Sequence, residues 1–409
     1  MRLLSLIIIL VACACVSQQK IVKLPTPYIS PSAYFVSREL MNSAGANFFN
    51  DEESFDRLFN AKRMGIKWIR LTPSKWKSAL YPNEAGTFLV GRKAEYRGLV
   101  EEDLKTLLKV LDWAHSLDLK VMLTFLTVPG RVFAQHNQGK QDNRMWQSEI
   151  YQEQAVQFIR DVALYVGHHP ALMALNPINE PSPEKAEPRL LDWYKGDYQA
   201  WAEKTRGSTQ DLNRFYERMV VNIRRVRKDL PIVLDAGFHA HPWAFKILKP
   251  FKDPSIWYAF HWYEPFLYSQ IDPSYSYPGS VPTGENPGPA DVVMWDKKML
   301  ATFLKPVIDW QREHGIDKNQ IVVGEFGVNR LMKGAADYLR DCRQLFLEHG
   351  FMHAFYHFRE PHFPRMDYEL GTTKKIGPYW QALEAGVVPN YDKFPKSELI
   401  EALGLRPKG

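Results

Sequence analysis

Ala171-Leu172-Met173-Ala174-Leu175-Asn176-Pro177-Ile178-Asn179-Glu180-Pro181 is the stretch that decides the fold. An apolar run of strand length ends in a carboxamide, a carboxylate and a proline that cannot extend a hydrogen-bonded ladder. The stretch therefore predicts a buried strand with Asn179 and Glu180 at its carboxyl end. Amphipathic segments with helical spacing flank it, at 149–167 before and 212–228 after. Working outward, the same unit recurs. Strands are predicted at 46–50, 66–71, 119–126, 171–178, 232–235, 256–262, 320–324 and 352–358. Helices are predicted at 52–64, 101–117, 149–167, 212–228, 243–248, 297–314, 335–349 and 376–385. Strict alternation implies parallel strands joined by right-handed crossovers. Eight such units close most economically into a (β/α)8 TIM barrel, a single catalytic domain over residues 33–386. An open doubly wound sheet is the alternative, but no strand-to-helix turn carries GxGxxG or GxxxxGK[ST].

In a barrel the long segments after strands, 72–99, 127–148, 184–211 and 263–296, gather with the catalytic groups at the carboxyl end. They bring Trp76, Tyr81, Phe88, Phe133, Trp146, Trp193, Tyr194, Trp201, Tyr268, Tyr275, Tyr277 and Trp295, several of which are expected to line a long groove. A second apolar run, Ile321-Val322-Val323-Gly324-Glu325-Phe326-Gly327, also ends in a carboxylate between small residues. Two acids at the mouth of one barrel can meet across it. Such a pair suits glycosidic cleavage, in which one carboxyl must be protonated and the other ionised.

The ordered motifs resemble glycoside hydrolase family 5, a retaining family of (β/α)8 glycosidases, from about Ala33 to Leu383. They are AGANFFN, MGIKWIRL, NEP, FHWYEPF, GEFG, and FYHFRE followed by MDYELG. The resemblance implies Glu180 as acid/base and Glu325 as nucleophile, with Asn179 on the sugar 2-hydroxyl and Arg70 orienting Glu325. His261 would contact the acid network and Tyr263 would donate to the nucleophile; the two share one face of the sixth strand. Two family features differ. The third strand ends in VMLTFLTVPG, with Leu126 or Thr127 where members commonly carry histidine. The eighth reads GFMHAFYHFRE, so that His353, Phe355 or Tyr356 replaces the usual tryptophan platform. The implied activity is endo-hydrolysis of a β-1,4-linked glucan or mannan by double displacement. A non-catalytic surface glycan-binding protein on this fold and a transglycosylase are the alternatives.

Other chemistry is weaker. His239 and His241, or His168 and His169, could bind a metal, but HExxH and a dense ligand cluster are lacking; no metal and no cofactor are expected. GxSxG is also missing, and Cys342 falls within a helix pattern. The net charge of +6 is scattered rather than clustered, which argues against nucleic acid. Among 12 Trp, 19 Tyr and 23 Phe, core and sugar-stacking residues cannot be separated by count. Only three cysteines occur, so the fold must stand on its core. Residues 1–12 read as a signal peptide ending in Leu10-Val11-Ala12-Cys13, a site resembling that of bacterial lipoproteins. Cys13 would then be lipidated, residues 13–32 would form a tether, and 387–409 would form a C-terminal extension. The expected partners are a β-linked polysaccharide or oligosaccharide and the membrane through the anchor, on a monomer. The location would be the extracytoplasmic cell envelope, the outer membrane if the host has one, or full secretion.

Overall fold

In the computed structural model, residues 40, 42–134, 137–187, 189–190, 197–283, 292–372, 382, 386–387 and 397–407 are described. The expectations for the signal peptide, Cys13, the tether, Trp193, Tyr194 and most of the helix at 376–385 lie outside them.

Eight parallel strands close into a barrel: β1 (Ala44–Phe48), β2 (Trp68–Leu71), β3 (Lys120–Thr124), β4 (Leu172–Asn176), β5 (Ile232–Asp235), β6 (Ile256–Trp262), β7 (Ile321–Phe326) and β8 (Met352–Phe355). Each pairs with its sequence neighbours, and β8 closes on β1 through Ala44↔His353 to Ala46↔Phe355. Outside the barrel run α1 (Phe55–Arg63), α2 (Glu101–Ser116), α3 (Glu149–Val166), α4 (Tyr198–Lys204), α5 (Leu212–Val226), α6 (Lys297–Glu313), α7 (Ala335–His349) and α8 (Glu398–Ala402). The helix predicted at 243–248 is instead a 3-10 turn, Pro242–Ile247.

Polar caps set several helix starts: Ser54 on α1, Asp211 on α5 and Asp296 on α6 each accept backbone N–H bonds. Two hairpins were not predicted, Thr127–Val128 with Arg131–Val132 and Gly279–Pro282 with Val292–Trp295. Nor was α8, which sends Leu399, Ile400, Ala402 and Leu403 into the main core. No helix among the described residues is long and apolar enough to cross a membrane.

The two-residue period of each strand sorts its side chains between two cores. Outward residues such as Ile69, Val121, Leu175, Leu234, Phe260 and Val323 meet the helices. Inward residues, among them Trp68, Met122, Ala174, Val233, Ala259, Val322, Met352 and Ala354, fill the barrel. Gly45 makes room for the largest of these: a Cβ there would sit 2.2 Å from the Trp68 ring.

Candidate active site

One step further along each strand, the inward row changes from apolar to polar. Asn47, Arg70, Asn176, Asp235, His261 and Glu325 come from six strands and are all buried. Buried polar groups are costly unless each finds a partner, and Arg70 supplies most of them. Its Nη1 donates to Glu325 Oε1 at 2.8 Å and Asn47 Oδ1 at 3.1 Å. Its Nη2 donates to Asn176 Oδ1 and Asn179 Oδ1, both at 2.7 Å, and lies 3.5 Å from Asp235. Asn176 in turn donates to Asp235 Oδ1 at 2.9 Å.

Glu325 reaches this row through an irregularity. Val322 faces inward beside Ala259 and Val323 outward beside Phe260, so simple alternation would turn residue 325 toward the helices. The register shifts between Val323 and Glu325, which sets Glu325 beside His261. Gly324 is the extra residue, and its missing side chain leaves space for the imidazole. A Cβ there would lie 2.9 Å from His261 Nε2 and 3.5 Å from Arg70 Nε. Gly324→Ala is therefore expected to push His261 off Glu180. Turnover should fall more than about 10-fold while the overpacking costs about 1–3 kcal/mol, as read by kcat/KM beside thermal unfolding.

Glu180 sits just beyond β4 in a left-handed conformation, φ 49°, which is uncommon for a residue with a side chain. Its backbone is held from both sides. The N–H donates to Asp235 Oδ2 at 3.0 Å, and Arg131 Nη2 donates to the carbonyls of Asn179 and Glu180, each at 2.7 Å. The carboxylate faces two imidazoles, His261 Nδ1 at 2.8 Å from Oε1 and His239 Nδ1 at 3.6 Å from Oε2. Tyr263 donates to Glu325 Oε2 at 2.7 Å, and His261 Nδ1 lies 3.7 Å from the same oxygen. One oxygen of Glu180 lies within 4.8 Å of one of Glu325.

Burial works to raise the Glu180 carboxyl, but hydrogen bonding to His239 and His261 prevails and holds it below the ordinary range. For Glu325, burial and the Glu180 charge outweigh the opposing pull of His261, Arg70 and Tyr263, so its carboxyl is raised. His261 is raised too, because Glu325 and Glu180 overcome its burial. The three groups titrate as a unit, and His261 is placed to hold a proton between the carboxylates. Burial, reinforced by the Glu325 charge, keeps the Tyr263 hydroxyl protonated and thus a donor. This trio is also the cluster whose donor atoms come close enough for a metal among the described residues. Arg70 and a protonated His261 already supply positive charge against these carboxylates, and a metal ion there would be repelled.

These groups open into a cleft of about 740 Å³ whose walls include Phe49, Phe133, Phe266 and Phe363. Tyr356 stands in it, edge-on to Phe49 and Phe363, with its hydroxyl donating to Glu360 Oε2 at 2.5 Å. Lys75 pairs with the other Glu360 oxygen, and the Glu360 N–H donates to His357 Nδ1 at 3.0 Å.

The family model for cellulase, glycosyl hydrolase family 5, matches residues 37–359. The chain belongs to glycosyl hydrolase family 5. It is a glycoside hydrolase. Solved structures share its barrel at low identity. An endoglucanase is 18% identical, with 91% of this chain and 99% of that one covered and a TM-score of 0.60. Endoglucanase Cel5A from the hyperthermophilic Thermotoga maritima is 15% identical, with 90% and 98% covered and a TM-score of 0.59. The cellulose synthase subunit Z from Clostridioides difficile is 16% identical, with 88% and 99% covered and a TM-score of 0.56. No curated protein matched by sequence.

Within this family 5 barrel, Glu180, Glu325, Arg70, Asn179, His261 and Tyr263 come together, and Tyr356 joins them from beyond β8. His353 does not. Ala354 faces the barrel interior, so His353 points outward, where it is fully buried against Phe326 and Phe346 and bonded to the Phe351 carbonyl at 3.2 Å. Burial pushes its imidazole down to about 4. At the end of β3 it is Leu126, not Thr127, that lines the cleft.

The expectation for the loop aromatics needs similar correction. Trp76, Phe88, Trp146, Trp201, Tyr268, Tyr277 and Trp295 are buried and pack the loops together, while among the described members of that set it is Phe133 that reaches the cleft. Arg131, Asp235, Asn47 and Asn176 were missed. For Asp235 a signal existed, since Ile232-Val233-Leu234-Asp235 ends an apolar strand in an acid just as β7 does.

Proposed function

We propose that the protein is an endo-acting, retaining β-glycanase cleaving β-1,4-linked glucan or mannan, with Glu180 as acid/base and Glu325 as nucleophile. The observation that carries this reading is the separation of the carboxylates, within 4.8 Å at their nearest donor oxygens. That is close to the roughly 5–5.5 Å of covalent double displacement and well short of the roughly 6.5–9.5 Å that leaves room for an inverting water. Arg70 and Tyr263 aim Glu325 while countering its charge. Asn179 Oδ1 accepts from Arg70, leaving its NH2 group for the sugar 2-hydroxyl, a contact that strengthens in the transition state.

In the free protein the His261 and Glu180 charges favour one another. A sugar filling the cleft excludes water and disfavours that buried ion pair. The proton then passes along the 2.8 Å bond to Glu180. Glu180 gives it to the departing oxygen as Glu325 attacks the anomeric carbon. Glu180, now ionised, takes a proton from the water that attacks the glycosyl ester, releasing sugar and restoring both acids.

Thermotoga maritima Cel5A has been solved with cellobiose and with mannotriose, which supports testing both polymer classes. We place the protein outside the cytoplasm, anchored through a lipid on Cys13. The decisive experiment treats the enzyme with 2-deoxy-2-fluoro aryl glycosides of the gluco and manno series and maps the adduct by mass spectrometry, beside a panel of β-1,4-glucans and β-1,4-mannans. An ester on Glu325 and activity on one of the two polymers are expected. An adduct on Glu180, or no adduct and no activity with any member of the panel, would overturn the reading.

A further inference from the structure

The geometry points to His239 as a positioning residue: a neutral N–H donor held against the second oxygen of Glu180, favouring the base form that the second half of the reaction requires. The inference rests on the acid/base role proposed for Glu180.

Three observations carry it. The first is the backbone. Directly after Gly237, the residues Phe238, His239 and Ala240 all have positive φ, at 50°, 55° and 61°. Each such residue is strained, and a run of three persists only where the surroundings enforce it. The enforcement is visible. Tyr198 packs on Phe238, with ring centroids 4.3 Å apart, and leaves no room at Gly237, where a Cβ would meet its hydroxyl at 2.3 Å. The His239 N–H donates to the Pro181 carbonyl at 3.3 Å, tying this turn directly to the residue after Glu180.

The second is the ring's placement. His239 stacks on Phe133, with centroids 6.1 Å apart and planes 24° apart, and the Arg131 guanidinium covers Phe133 at 4.3 Å. Arg131 is the residue that grips the Glu180 carbonyl. The imidazole is thus fixed to the same scaffold as the carboxylate, and its Nδ1 faces Oε2 at 3.6 Å, while His261 holds Oε1. Catalytic contacts of this length in a free enzyme commonly tighten when substrate enters.

The third is the far nitrogen. His239 Nε2 is buried and has no hydrogen-bond partner among the described residues. Burial, with the Lys185 and Arg131 charges nearby, lowers the imidazole's affinity for a second proton. A neutral ring carries one N–H. On Nε2 that hydrogen would be an orphaned donor, while a lone pair on Nδ1 would face a carboxylate. On Nδ1 it points at an acceptor. The groups that face Glu180 from the other elements are His261, Glu325, Tyr263, Tyr356, Arg131, Asp235 and Arg70, and none of these approaches Oε2 within bonding distance.

The test reads Glu180 directly by 13C-carboxyl NMR, assigned with Glu180→Gln, and the His239 tautomer by 15N NMR. The wild type should show the Nδ1–H tautomer at neutral pH. His239→Phe keeps the stack but cannot donate, and should raise the Glu180 midpoint by on the order of one pH unit. His239→Gln retains an N–H donor and should restore it toward wild type. Thermal unfolding identifies any variant that fails to fold, and the wild-type tautomer stands without either variant. These readouts need no substrate, so they succeed or fail separately from the glycanase reading.

If an aryl glycoside is turned over, the alkaline limb of kcat/KM should move upward in His239→Phe. An Nε2–H tautomer in the wild type, or a Glu180 midpoint that His239→Phe leaves in place, would overturn the inference.

Discussion

Glu325→Ala is expected to abolish hydrolysis of every glycoside the protein accepts, by on the order of 10⁵-fold or more, as loss of a covalent nucleophile does elsewhere. Glu180→Ala should fall differently. Polysaccharides, whose leaving alcohol needs a proton, should lose about 10²–10⁴-fold. Aryl glycosides with strongly acidic leaving groups need no proton, so the glycosyl ester should still form and then accumulate for want of a base. Azide sharpens the contrast because it is a nucleophile that requires no deprotonation. With Glu180→Ala it should attack the ester on Glu325 and give a product of retained configuration. With Glu325→Ala it should attack the substrate itself from the vacated side and give the inverted product. The configuration of the two azides, read by proton NMR, checks both roles at once. Retained product from Glu325→Ala would show that another group is the nucleophile.

The fold was legible because its signal is repeated. A short apolar run followed by a helical one, recurring through the chain, has few topological solutions. The carboxylates were legible because ionisable groups at the ends of apolar strands are conspicuous against their surroundings. What escaped has specific physical reasons. The β7 bulge is invisible to alternation, because Gly324 reads equally as a strand residue or a break; without the bulge Glu325 would face the helices. Arg131 belongs to a hairpin too short to show a period, and the Asn179 and Glu180 carbonyls it holds lie 48 and 49 residues away. His239, read from the sequence only as a weak metal-ligand candidate, owes its place against Glu180 to a left-handed turn that its own residue types do not favour.

His353 was a different kind of error. The parity that pairs His261 on β6 with Tyr263 just beyond it, applied to β8 from Ala354, selects Tyr356 and excludes His353. The aromatic residues of the loops misled for yet another reason. Loops long enough to wall a cleft need cores of their own, and Trp146, Tyr268 and Trp295 fill them.

Arg70→Met is expected to cost stability and to narrow the pH range of activity together. The side chain is fully buried and donates to Asn47, Asn176, Asn179 and Glu325. Methionine fills much of its volume but strips four acceptors of a donor and leaves the Glu325 carboxylate without its cation. Breaking a buried pair from one side typically costs about 3–5 kcal/mol, measurable by urea unfolding. Arg70→Lys should recover little of this, because one ammonium cannot span Asn47 and Glu325 on one side and Asn176 and Asn179 on the other.

The sign of the pH effect follows from Glu325. Its carboxyl is already raised by burial, and Arg70 is among the groups opposing that rise. Without the guanidinium it rises further, the ionised form of Glu325 is lost at a higher pH, and the acid limb of kcat/KM moves upward. His239→Phe, by contrast, moves the alkaline limb. Two separate limbs answering to two separate residues is the behaviour expected of a site whose two carboxylates are tuned by different neighbours. If Arg70→Met instead lowered activity equally at every pH, Arg70 would serve the architecture of the barrel mouth rather than the charge on Glu325.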